Sequence, residues 1–61
     1  MNNTDKTIRV RATIFGKVTK FDYDFDCYPG MKYSDSLIAK YGNQSRFVMQ
    51  HWHEAAYEVI G

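Results

Sequence analysis

Residues 21–26 alternate without a break: Phe21, Asp22, Tyr23, Asp24, Phe25, Asp26. Successive side chains of a β-strand point to opposite faces, so as a strand this stretch has one aromatic face and one acidic face. A helix would scatter the same residues around its circumference. The aromatic face needs a core or a partner. The acidic face sets three like charges two residues apart, an arrangement that solvent must screen or a basic partner must use.

The flanking sequence supports a sheet. From Thr7 the chain alternates again, with Ile8, Val10, Ala12 and Ile14 on one side and Thr7, Arg9, Arg11 and Thr13 on the other. That is the pattern of a half-buried strand rich in β-branched residues. Gly16-Lys17 interrupts it, and a glycine with positive φ suits a tight hairpin. The second strand then covers about 18–27, and antiparallel pairing brings Arg9, Arg11 and Lys17 near the carboxylates. Cross-strand ion pairs of this kind relieve an acidic face without defining it. Pro29-Gly30 predicts a type II turn. A short helix follows, with Ser34 as N-cap, Asp35 at its positive end, Tyr33 stapled to Ile38, and a stop at Gly42-Asn43. Leu37, Ile38 and Tyr41 share one side of it. At about two turns it must dock on the sheet to persist.

The last third reads two ways. As a helix, Val48, Trp52, Ala55, Ala56, Val59 and Ile60 make a stripe. As a strand, neither alternating set is cleanly apolar. A hairpin with one small helix lacks a stabilising third strand, so a strand over about 46–53, resuming at 57–60, is expected. The resulting class is α+β: a three-stranded antiparallel sheet with one short helix, in the order β-β-α-β, as a single domain over 1–61 with 1–6 frayed.

Sixty-one residues bury too little surface for comfortable stability alone. A single cysteine, Cys27, forms no intrachain disulfide, and no zinc-type spacing occurs. The aromatics, 16% of residues, exceed what so small a core can hide. A homodimer answers both problems. The net charge of +1 selects no partner. No signal-like start or membrane-length apolar run is present, and a free cysteine fits a reducing compartment, so a cytoplasmic location without membrane attachment is expected.

Other constellations carry less. His51 and His53, with Cys27 as a third ligand, lack a convergent partner for a metal, and Cys27 with either histidine lacks an oxyanion site for catalysis. Neither an enzyme nor a cofactor is expected. Phe21, Tyr23 and Phe25 form a poor base-stacking platform, because carboxylates interleave with them.

Phe25-Asp26, Gly30, Ser34-Asp35 and Tyr41-Gly42-Asn43 together resemble the small homodimeric uracil-DNA glycosylase inhibitors encoded by Bacillus phages. The likeness covers about a third of the chain. It implies a DNA mimic in the host bacterial cytoplasm that fills the glycosylase's DNA groove and boxes in the enzyme's protruding apolar loop residue. The family's functional strand acid falls on Asp26, and its helix tyrosine on Tyr41. Its box-lining aromatic falls on Leu37 by one alignment and on Ser36 by another, and Leu37 is preferred on chemistry. The chain departs from the family in its near-neutral charge and in lacking the helix aromatic. The expected partner surface is therefore Asp22, Asp24, Asp26, Phe25, Leu37 and Tyr41, with no direct nucleic-acid contact. Two alternatives stand beside it. One is a small nucleic-acid-binding domain using Arg9, Arg11, Lys17 and Lys20. The other is a phage protein that binds a different host factor.

Overall fold

A computed structural model describes residues 6–61; residues 1–5, most of the segment expected to fray, lie outside the described residues. Two eight-residue strands, β1 (Ile8–Phe15) and β2 (Lys20–Cys27), form an antiparallel hairpin. Helices α1 (Tyr33–Tyr41) and α2 (Arg46–His51) follow, then a 3₁₀ turn (Trp52–Glu54) and strand β3 (Ala56–Val59). β3 pairs with the far side of β1, giving an antiparallel sheet in the order β2-β1-β3. The fold is α+β, with the sequence order β-β-α-α-β.

The core follows from the two alternations. Val10, Ala12 and Ile14 from β1 and Phe25 and Cys27 from β2 are buried on one sheet face, and Leu37 of α1 and Val48 of α2 close over them. Partly buried aromatics ring this centre. Tyr33 and Phe25 both contact the Tyr57 ring, at centroid distances of 5.7 and 6.4 Å. Burial raises the Tyr57 hydroxyl pKa, and the hydroxyl donates to the Trp52 carbonyl at 3.4 Å.

The strand expected over 46–53 is instead α2 and the 3₁₀ turn. The Ser45 hydroxyl caps α2 by accepting the Val48 N–H at 3.2 Å, and a serine at this position is a helix-start signal. The sheet still gains its third strand, but from only four residues, Ala56–Val59. Of the helical stripe only Val48 lies in α2, with Trp52 in the 3₁₀ turn, while Ala56 and Val59 belong to β3, where the strand expected to resume at 57–60 does form.

Smaller expectations shift too. α1 begins at Tyr33 with Lys32 at the N-cap and no side-chain cap bond, so Ser34 lies inside the first turn beside Asp35. Tyr33 packs on Tyr57 from within the helix and does not staple it from outside. The β1–β2 turn closes through Gly16 N–H to the Thr19 carbonyl at 2.7 Å, yet Gly16 has no positive φ. β2 accordingly starts at Lys20, two residues later than expected. The type II turn does form: Met31 N–H donates to the Tyr28 carbonyl at 3.1 Å, and Gly30 has φ 83°.

Gly42 ends α1 through close approach, with φ at an ordinary helical −59°. A Cβ there would lie 2.6 Å from the Ile38 carbonyl oxygen and 3.0 Å from the Met49 sulfur. Glycine is what lets α1 and α2 meet at this corner. In an open helix Gly→Ala stabilises by up to about 1 kcal/mol. Here Gly42→Ala is expected to destabilise by about 1 kcal/mol or more, a sign that urea denaturation reads directly.

Candidate functional site

The β1–β2 register sets the acidic row directly against a basic one. Arg9 stands opposite Asp26, Arg11 opposite Asp24, and Thr13 opposite Asp22. Arg9 Nη1 donates to Asp26 Oδ1 at 2.9 Å. Arg11 grips Asp24 with two bonds, from Nε at 2.8 Å and Nη2 at 3.1 Å. The Thr13 hydroxyl donates to Asp22 Oδ1 at 2.8 Å. All three carboxylates lie on the sheet face away from the helices, and each has a partner. Glu58 of β3 comes up opposite Arg11 from the other side. The face is therefore a lattice of mixed charge, less negative than the sequence of β2 alone suggests.

Asp24 is the most constrained of the three. The hydrogen bonds from Arg11 hold its carboxyl below the usual aspartate range, reinforced by the charges of Arg11, Arg9 and Lys40 and opposed by desolvation. The same contacts, led by the hydrogen bonds to Asp26 and Asp24, push Arg9 and Arg11 further above their usual range. The Asp24 carbonyl points outward from β2 and is closed off by α1: the Tyr41 hydroxyl donates to it at 2.7 Å, and Lys40 Nζ approaches at 3.4 Å.

The remaining expected contact residues are less available. Leu37 and Phe25 are fully buried in the core, so neither presents a surface. Ser36, the alternative position, is also buried; its hydroxyl donates to the Cys27 sulfur at 3.3 Å. Tyr41 is half-buried and spends its hydroxyl on Asp24. A box in the interior of α1 is filled by the protein's own side chains.

Apolar hollows lie elsewhere. One of about 340 Å³ is lined by Ile8, Cys27, Tyr28, Pro29, Gly30, Met31 and Tyr33. A second, of about 200 Å³, shares Tyr28 and Met31 and has Asp26 and Lys40 among its lining. Together they form a depression at the β2–α1 turn, where the acidic row ends. Ile8 falls on the core face in the alternation, but nothing in its pattern says that, among the described residues, it stays 39% exposed. Tyr28 and Met31 border a Pro-Gly turn and belong to no periodic element, so periodicity could not find them.

His51 and His53 sit on α2 and the 3₁₀ turn, each with a ring nitrogen 3.6 Å from Glu54. Cys27 is buried, with Ser36, Met31 and Tyr28 as its polar neighbours. Among the described residues no three metal-ligating side chains converge, and no helix is long and apolar enough to cross a membrane. The chain matches no known family model, no curated protein and no solved structure.

The Asp24 carboxyl gives a pH test. It binds its proton less tightly folded than unfolded, so between its lowered native pKa and the ordinary value of about 3.9 the unfolded chain holds more protons and stability rises with pH. The contribution is complete at neutral pH and is lost as pH falls through that window. Asp24→Asn should flatten the acid limb of stability against pH below about pH 4, followed as the urea midpoint, while leaving its slope above pH 5 unchanged.

Proposed function

We propose that this chain is a non-catalytic protein inhibitor of a DNA-processing enzyme, most concretely a uracil-DNA glycosylase. In this reading it acts as a homodimer that occupies the enzyme's DNA groove. The supporting observation is that Asp26, the last acid of the row, also lines the apolar depression shared by Tyr28 and Met31. An enzyme that flips bases combines a basic channel with an inserted apolar wedge. A surface pairing carboxylates with an adjoining apolar hollow is complementary to both. Tyr28 and Met31 take the role that the resemblance assigned to Leu37.

The arginine partners do not forbid this. Exposed ion pairs contribute little, so a dense basic groove can take the carboxylates over. Arg9 and Arg11 act as a brake on the mimicry. Dimerisation fits the open side of β3. Ile60 N–H bonds to Arg9, so even-numbered β3 residues face β1 and the backbone groups of Tyr57 and Val59 point outward. Val59 is itself half exposed.

Removing uracil from DNA in the presence of purified protein tests the reading. Inhibition should saturate near stoichiometric addition, and Met31→Ala should weaken it about tenfold or more. The double variant Arg9→Ala/Arg11→Ala should associate faster at low salt, by roughly tenfold, because the row is unmasked. Undiminished glycosylase activity at large molar excess would sink the proposal.

A further inference from the structure

A third hollow, of about 430 Å³, opens at the opposite end of β2 from the Tyr28 turn, and its origin lies in strand lengths. β1 runs to Phe15, whereas β3 begins at Ala56, opposite Thr13. Odd-numbered β1 residues bond toward β3, so the backbone groups of Phe15 face a side where β3 has already ended. The 3₁₀ turn and α2 line the gap without filling it. Its lining is Phe15, Gly16, Lys17, Phe47, His51 and Glu54.

The gap has aromatic surfaces and unneutralised cations. Phe47 packs edge-on to Phe21 at 5.0 Å and lies 4.7 Å from the His51 ring, which makes a continuous aromatic flank. Phe15 also lines the gap and is 67% exposed, although it falls on the otherwise polar side of β1. Lys17 lines the gap, and Lys20 pairs with Phe15 across the hairpin. Neither lysine forms a salt bridge among the described residues, in contrast to Arg9 and Arg11. Glu54, the one carboxylate lining the gap among the described residues, lies between His51 and His53.

We infer that this gap is a binding site for single-stranded nucleic acid, in which a base stacks against Phe15 and the Phe47–His51 flank while Lys17 and Lys20 receive the adjoining phosphates. Exposed rings supply sequence-tolerant stacking, and free lysines supply the electrostatic part. A partner protein's aromatic side chain would use the rings but leave both lysines without a counter-charge. The hollow's volume falls in the range of small-ligand sites. The site is separate from the acidic row: the strand carboxylates that spoil Phe21, Tyr23 and Phe25 as a platform do not line this gap.

Fluorescence anisotropy of a labelled oligothymidylate, titrated with the full chain from roughly 50 to 200 mM salt, tests the inference. The expected result is binding that weakens with salt. Phe15→Ala should weaken it by roughly five- to a hundredfold, the loss of one stacked base, and Phe15→Trp should retain it. Lys17→Ala and Lys20→Ala should each lower the slope of log affinity against log salt by about 0.7. Lys32→Ala, at the far end of the molecule, should change neither affinity nor slope. An unchanged circular dichroism spectrum separates these effects from unfolding, and Lys17→Glu, on the surface, provides a second loss of binding independent of the rings. No rise in anisotropy at any salt overturns the site. So does a Phe15→Ala variant that binds like the wild type, or a Lys32→Ala variant that loses as much as Lys17→Ala, since binding would then be diffuse charge attraction.

Discussion

The register between β1 and β2 is the constraint on which the rest of the structure depends. With Val10 opposite Phe25, every aromatic of β2 falls on the helix side and every carboxylate on the other. A slip of one residue would drive Asp22, Asp24 and Asp26 into the core and expel Phe25 from it. Burying unpaired carboxylates is costly enough to make the slipped form uncompetitive. The same register brings Arg9 and Arg11 to Asp26 and Asp24, so the polar face also favours the correct pairing. Both faces of the hairpin agree on one answer, which lets a chain this short hold a defined sheet.

That agreement explains which parts of the fold were legible. β1, β2, the Pro29-Gly30 turn and the helix around Leu37 follow from local pattern: period two, a turn dipeptide, and helical spacing ending at Gly42. The segment after Asn43 resisted because a global argument displaced a local one. The stretch expected as a strand over 46–53 is helical and capped by Ser45, whereas the expected resumption at 57–60 matches β3 within one residue. Hairpin geometry misled for a different reason. A glycine at a turn suggests positive φ, but Gly16 and Gly42 are small because neighbouring atoms come close, and sequence does not distinguish the two uses.

The candidate sites were less legible than the fold. The acidic row was visible, but the extent of its pairing depends on register and on side-chain geometry, such as the two-bond grip of Arg11 on Asp24. The apolar character that suits Leu37 to lining a box also sends it into the core. Among the described residues the hollows arise where elements stop short: at the Ile8 end of the sheet, and where β1 outruns β3. One clue was present. Phe15 is a large aromatic at the parity otherwise held by Arg9, Arg11 and Thr13, which places its ring on the exposed face of β1.

The bond from the Tyr41 hydroxyl to the Asp24 carbonyl has a consequence for assembly. A three-stranded sheet has two borders, and each is a template on which further strands can add. At β2, Tyr41 and Lys40 plug the middle of the border, and the aspartates line it with charge. At β3 the border has no strand paired to it among the described residues and is short, with two outward-facing residues. In the proposed homodimer, pairing through β3 would leave β2 as the outer border of each copy, and there the Tyr41 hydroxyl and Lys40 already occupy the Asp24 carbonyl, so one phenol disfavours the further strand addition that leads to fibres.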